Sequence, residues 1–456
     1  MRQRMRSRCV LNLVLVSSCL VVGTSAAEVF PALEGEYFGQ KEPGKIAVRF
    51  APGLISQPGR YEFALSFSPS GDELLFSQQV PGQVVSVHHS RIEAGRWTKP
   101  IPVRLSQEAR AEEMEAFFSP DGGRIYFASY DEGMDVRIWS VEIGERGWEN
   151  PKELGPPLSE GPAFYPTTSR VGTLYYTNLA EKRIFRAWME DGRIVRAEDA
   201  GIAFGMHAFV SPDGAFVLLD ARAPDSLGSS DLYVAFREAG GGFGQPRHLG
   251  SEVNSSYSET CPSLSADGRF LFFSRYDEEN EISDILWIDA SVIEDAKSGM
   301  DAGEAFHQLT LLAGSWRGSG GQLGSDPKPT QHVFTVVSGG TVVMEVMDPD
   351  GEREVNLYFL DGEDLVLDHY CGAGNRPRLK LDRDGASPGV LPFALAGGTG
   401  FDAATDRHIH TSLLVIRLGE VLESRWTAEK AGEVVMESHF DLSRSPGDQD
   451  LAPWAP

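Results

Sequence analysis

The stretch Phe118-Ser119-Pro120-Asp121-Gly122, followed by the alternating run Arg124-Ile125-Tyr126-Phe127-Ala128-Ser129, decides the fold. An Asp-Gly pair between two strand-like runs is a hairpin turn, because glycine takes a positive φ without steric cost and aspartate tolerates one. The same words return as Phe67-Ser68-Pro69-Ser70-Gly71, Val210-Ser211-Pro212-Asp213-Gly214 and Leu264-Ser265-Ala266-Asp267-Gly268. A degraded copy, Thr168-Ser169-Arg170-Val171-Gly172, precedes Leu174-Tyr175-Tyr176-Thr177. A hairpin recurring every roughly 40–55 residues is the mark of a β-propeller, one copy per blade.

Working outward, each hairpin is followed by a third strand: Asp135-Val136-Arg137-Ile138-Trp139-Ser140-Val141, Asp231-Leu232-Tyr233-Val234-Ala235-Phe236 and Asp284-Ile285-Leu286-Trp287-Ile288. A Gly-aromatic step and a proline-containing segment come next, as in Gly95-Arg96-Trp97 with Pro100, Gly147-Trp148 with Pro151, and Gly242-Phe243 with Pro246. Proline suits an edge strand, and the outermost strand of a blade is an edge. Four strands per repeat make a blade. The SPDG hairpin and the DIY/DLY third strand resemble the WD-like propeller repeats of the TolB type, over residues 34–295. That resemblance implies a propeller of an exported protein, used mostly as a binding scaffold.

The turn serines stand at Ser68, Ser119, Ser169, Ser211 and Ser265. The last repeat shows three strands. Phe50-Ala51-Pro52-Gly53-Leu54-Ile55-Ser56 lines up with Leu249-Gly250-Ser251-Glu252-Val253-Asn254-Ser255, which follows a fourth strand elsewhere. A strand near Ala47–Phe50 is therefore expected to complete the final blade and close the ring. Five blades follow; the alternative of six, usual in TolB itself, requires one more hairpin than the chain shows.

The chain has 456 residues and a formal charge of −25, too long for one ordinary domain and too acidic for a nucleic-acid binder. Residues 1–27 read as a signal peptide: Arg2, Arg4, Arg6 and Arg8, then an apolar run Val10 to Val22, then Ser25-Ala26-Ala27. Cleavage there predicts a periplasmic or secreted protein without a transmembrane segment. The alternative is a lipoprotein anchored at Cys19, after Val16-Ser17-Ser18. Cys9 and Cys19 fall in the leader, and Cys261 and Cys371 are expected as two buried free thiols.

Six residues before the turn serine stand Glu62, Glu113 and Glu259, with His207 near the corresponding place in the fourth repeat. Equal offsets on equivalent strands point the same way, so a channel-mouth cluster is expected. Such a cluster suits a divalent cation or a basic peptide. The structural alternative has each glutamate accepting N–H bonds from the neighbouring blade's loop. Apart from that cation no cofactor is expected, and there is no His-Glu-x-x-His, P-loop or dinucleotide fingerprint in the sequence.

A polar linker, 296–304, separates the repeats from a second vocabulary over 305–445, and 446–456 read as a disordered tail. After a helical turn at Ala305–Leu312, eight strands follow: 332–337, 341–347, 354–360, 365–370, 377–381, 408–418, 421–428 and 434–442. Antiparallel strands in this density suggest a closed meander barrel, making the whole chain all-β. Gly314-Ser315-Trp316 resembles the opening of lipocalin-like (calycin) barrels. Val355-Asn356-Leu357-Tyr358-Phe359-Leu360-Asp361-Gly362, His369-Tyr370-Cys371 and Asn375-Arg376-Pro377-Arg378 are similar to a bacterial lipocalin-like family of unknown function. The resemblance implies an up-and-down barrel able to hold a small apolar ligand.

Strand parity puts Met436 and Phe440 inside with Trp426, and turns His439 outward, which counts against the haem-ligand role found in nitrobindin-type barrels. His408 and His410 share a face with Leu414 and Ile416 and are further interior candidates, either as a metal pair or as a hydrogen-bonded rim pair. The expected function is an exported non-enzymatic protein whose propeller binds an envelope protein or peptide and whose barrel binds a small apolar molecule. The rival is a periplasmic enzyme, a metal-dependent lyase or glycan hydrolase, working at the acidic channel mouth.

Overall fold

The computed structural model describes residues 33–106, 112–130, 135–190, 192–223, 226–348, 353–417 and 421–445. The expected leader, 1–27, with Cys9 and Cys19, and the expected tail, 446–456, lie outside them. Every inner hairpin forms where the repeats place it. In the second blade Gly122 donates its N–H to the Ser119 carbonyl at φ 72°, while Ser119 Oγ accepts from the Arg124 N–H. The turn is thus closed by its own serine and glycine.

Five four-stranded blades result. The first is Tyr61–Phe67, Glu73–Gln79, Ser86–Glu93 and Ile101–Val103, with Arg96–Trp97 as a hairpin extension. The second runs Glu112–Phe118, Arg124–Tyr130, Arg137–Gly144 and Gly147–Glu153. The third is Ala163–Thr168, Leu174–Asn178, Arg183–Glu190 and Arg193–Asp199, and the fourth Met206–Val210, Phe216–Ala221, Asp231–Phe236 and Arg247–His248. The fifth takes three strands from its own repeat, Ser258–Leu264, Phe270–Asp277 and Ile282–Asp289, and its fourth from Val48–Arg49. Val48 faces Trp287 and Arg49 faces Leu286 across an antiparallel pair. Beside this closure Phe50, fully buried, packs on Trp287 and Phe272 at ring distances of 5.3 and 5.0 Å.

Each inner strand carries a β-bulge at the same place. The register slips between Phe63 and Ser66, Met114 and Phe117, Phe164 and Thr167, Met206 and Phe209, and Thr260 and Ser263. Within each slip one residue is left-handed: Ala64, Glu115, Tyr165, His207 and Cys261, with φ between 43° and 56°. A bulged residue leaves the ladder, so its N–H needs another acceptor. The preceding blade supplies it. Ala64 donates to Ser274 Oγ, Glu115 to Ser77 Oγ, Tyr165 to Glu115 Oε2, His207 to Thr177 Oγ1 and Cys261 to Asp220 Oδ1. These five bonds stitch the inner edges of the blades into a ring.

Two helices lie at the junction, where the sequence reading has a polar linker, 296–304, followed by a helical turn at Ala305–Leu312. Helix α1, Ser291–Ser298, packs Val292, Ile293 and Ala296 on the propeller core. Helix α2, Ala302–Thr310, is capped by Asp301, whose side chain accepts from Gly303 and Glu304 N–H groups. Its Ala305 and Leu309 join the barrel core with Leu312 and Trp316.

The barrel closes with ten strands where eight are read from the sequence, Gly314–Gln322 pairing Glu433–Arg444 to complete the ring. The two additional strands are Gly314–Gln322 and Val390–Thr399. Their glycines leave little side-chain alternation to read. The domains meet along a polar seam. Ser251 N–H donates to the Pro388 carbonyl at 3.0 Å, Arg425 to the Ser226 carbonyl at 2.8 Å, and Leu227 packs with Val390 and Val415.

Candidate functional site

The barrel interior is apolar at the α2 side and polar along one wall. Glu345, His332, Asn356, Tyr358 and His369 are all buried, on neighbouring strands whose inward positions coincide. Glu345 accepts from His332 Nδ1 at 2.7 Å, Asn356 Nδ2 at 2.7 Å and Tyr358 Oη at 2.8 Å. Burial works against its charge, yet these three bonds win and hold the Glu345 carboxyl below its ordinary value. Since Asn356 spends its amide N–H on Glu345, its Oδ1 must accept from His369 Nδ1, 2.7 Å away.

That chain fixes the His369 tautomer, leaving a lone pair on Nε2. Burial lowers the His369 pKa and keeps the ring neutral. Nε2 is buried with no hydrogen-bond partner and lies 3.7 Å from Glu354 Oε2. Beside it opens a cavity of about 420 Å³, whose wall includes His369, Cys371, Met347, Trp426, Met436 and Phe440. His408 and Asn375 also reach it.

The predicted interior set therefore divides. His408, Trp426, Met436 and Phe440 line the cavity, and His410 does not. A bulge between Ile409 and Thr411 breaks the parity that would have carried the Leu414–Ile416 face through to His410. His410 instead lies 3.3 Å from Glu429, while His408 stacks on Phe401. Cys371 is half-buried, and both described thiols, Cys261 and Cys371, are free. Missing from the sequence reading were Glu345, His332 and Asn356 as a network, although Asn356 and His369 lay inside quoted motifs.

The three glutamates of the propeller are each engaged within their own blade's entrance. Glu113 accepts from the Leu105 and Ser106 N–H groups at 2.7 and 3.0 Å. Glu259 accepts from the Ser255 N–H at 2.9 Å and pairs with Arg275 at 2.6 Å. Glu62 accepts from Gln78 at 3.1 Å, and burial pushes its carboxyl up to about 8. All three are buried. An inward-facing group of different composition sits two residues further along, at the bulges.

There His207 Nδ1 meets Asp220 Oδ1 at 2.7 Å, and His207 Nε2 lies 3.9 Å from Glu115 Oε1. Tyr165 and Phe164 close on the imidazole edge-on. Burial pushes Glu115 up to about 7, against the pull of His207 and the Tyr165 N–H. Burial opposes a charge on His207, but Asp220 and Glu115 raise its pKa nonetheless. On the opposite side of this ring, the SPDG turns surround a second cavity of about 620 Å³.

No family model matches the chain, and no curated protein matches it. Among solved structures it is similar to TolB from Acinetobacter baumannii at 14% identity, over 50% of this chain and 57% of that one, with a TM-score of 0.33. A gluconolactonase from Xanthomonas campestris shares 11% identity over 57% of this chain and 98% of that one, TM-score 0.35. The β-propeller domain of Myceliophteria thermophila Cps50 (Swd1) shares 17% identity over 47% and 67%, TM-score 0.32. The neighbours include propeller proteins, and some of them are enzymes.

Proposed function

We propose that this is an exported binding protein whose barrel holds a small, mainly apolar molecule carrying one hydroxyl or N–H donor, while the propeller serves as a platform for an envelope protein or peptide. The observation that carries this reading is the unpartnered Nε2 of His369 beside the cavity. A buried acceptor without a partner costs free energy, which a donor on the ligand recovers. The volume falls in the range of small-molecule sites, about 300–1,000 Å³. The lipocalin-like resemblance of the segment holding His369 and Cys371 points the same way. For the platform, the mouth framed by the SPDG turns offers Arg170, Asp213 and Asp267 around an open depression. An enzyme working through Glu62, Glu113 and Glu259 is the weaker reading, because Glu113 and Glu259 are held by backbone N–H groups of their entrance loops, and of the three only Glu62 keeps a buried oxygen, Oε2, without a partner.

The test is a competition in the full chain. A lipophilic fluorescent dye is bound, then displaced by a long-chain alcohol or by the methyl ether of the same length. The alcohol should displace it about tenfold better, a difference near 1.4 kcal/mol, and His369→Leu should abolish the preference. Equal displacement by both, or no dye binding, overturns the proposal.

A further inference from the structure

Three groups of metal-ligating side chains occur among the described residues: Glu423 with His439 and Asp441, Glu354 with His369 and Cys371, and Glu115 with His207 and Cys261. In the first, Asp441 is exposed and the buried Glu423 is already paired with Arg417 and Arg425. The second belongs to the barrel cavity, where Glu354 accepts from the Gly372 N–H and the histidine is held by a neutral amide. The third also has its glutamate accepting a backbone N–H, from Tyr165, but it differs in two respects. Its histidine is held by a carboxylate, and its members come from three separate blades at the propeller's centre.

We propose that Glu115, His207 and Cys261 bind one divalent transition metal of borderline softness, of the zinc or cobalt class, with Asp220 as the positioning residue. The donor atoms all lie within 4.8 Å of one another, and the His207–Glu115 pair at 3.9 Å is too long for a hydrogen bond. Ligand atoms of one tetrahedral zinc stand about 3.3–3.8 Å apart, given metal–ligand arms of about 2.0–2.3 Å. Closing this site around a metal therefore asks for movements of an ångström or less.

Asp220 on Nδ1 directs the Nε2 lone pair at the other two donors, the carboxylate–histidine arrangement that orients a metal-bound imidazole. The mixture of imidazole, thiolate and a single carboxylate favours zinc-like ions over calcium or magnesium, which take all-oxygen shells. Binding would release to solvent the Cys261 thiol proton and whatever proton Glu115 or His207 Nε2 holds, leaving a thiolate, a carboxylate and a neutral imidazole on the metal. Three protein ligands leave a fourth position, and His207 keeps 17% of its side chain exposed, so that position has access to the channel. Glu115, His207 and Cys261 sit on the second, fourth and fifth blades, so the ion would also tie these blades together.

Cobalt(II) is the probe, because a thiolate ligand gives it an intense near-ultraviolet charge-transfer band. In the full chain with Cys9, Cys19 and Cys371 all replaced by serine, Cys261 is the one remaining thiol. Titration should give one cobalt per chain, with the band, and a rise in Tm on adding zinc. The further change Cys261→Ser should remove the band. Absence of the band in the Cys261-only chain overturns the proposal, as does a band that survives Cys261→Ser. Should Cys261→Ser misfold, X-ray absorption on the Cys261-only chain decides: one sulfur and at least one imidazole in the first shell support the site, and a sulfur-free shell overturns it. Neither reading depends on the barrel cavity.

Discussion

His369 gives its Nδ1 proton to Asn356 Oδ1 across 2.7 Å, and Asn356 passes the connection to Glu345 through its own amide. One carboxylate in the barrel wall thereby sets the tautomer of a histidine two strands away. Replacing Glu345 by Gln keeps the shape but substitutes a neutral amide for the acceptor of three buried donors. We expect a loss of about 2–4 kcal/mol in urea-induced unfolding of the barrel, together with loss of the alcohol-over-ether preference. Unchanged stability would mean the three bonds do not hold in solution.

The pH dependence of the propeller should carry the signature of Glu62. Its carboxyl is pushed from 4.5 to about 8 by burial, so the folded state retains a proton that the unfolded chain gives up near pH 4.5. Stability from this group is fully present below pH 4.5 and is lost as pH rises through 8. Glu62→Gln should flatten that decline, by an amount on the order of 1–2 kcal/mol, read as the difference in Tm between pH 5 and pH 8.5. A variant profile parallel to the wild type would contradict the assignment.

Ring closure predicts a contrast between close neighbours. Phe50→Ala removes a fully buried ring from the Trp287–Phe272 cluster and should cost about 3–5 kcal/mol. Val48 belongs to the same closing segment but is 40% exposed, so Val48→Ala should cost about 0.5 kcal/mol or less. Guanidinium denaturation of the two variants side by side measures the difference.

The seam between domains has its own sensitive point at Gly389. Its φ is +76°, and a Cβ there would stand 2.5 Å from the Ile416 carbonyl oxygen and 2.1 Å from Ser251 Oγ. Gly389→Ala should therefore loosen the contact between propeller and barrel, at a cost of about 1–3 kcal/mol. Limited proteolysis should then cut within 296–304 several times faster than in the wild type. Equal cleavage rates would show that the seam tolerates the methyl group.

The blades were legible because hairpin chemistry is local: serine, aspartate and glycine close the turn with their own atoms wherever it occurs. The closing strand was legible because Phe50–Ser56 repeats the words of Leu249–Ser255. The axial residues were not. Ala64, Glu115, Tyr165, His207 and Cys261 each stand four residues before a turn serine, but no letter repeats, since a bulge fixes a backbone conformation and leaves the side chain free to vary. In the barrel a bulge breaks the parity on which the His410 expectation relied. In the barrel, Gly314–Gln322 is too glycine-rich to alternate, so that strand declared itself only through its partners.

The Val48–Arg49 strand also sets an order of events. It is made at the beginning of the chain, yet its partner strand, Ile282–Asp289, is made last in the propeller; Arg49 and the Asp284 it pairs with are 235 residues apart. During synthesis from the N-terminus the first segment must wait unpaired while all five repeats emerge. The ring is therefore sealed only when the fifth blade is complete, and until then both of its open edges are available to any other unpaired strand. For this chain, the moment of closure and the end of its most aggregation-prone interval are the same event.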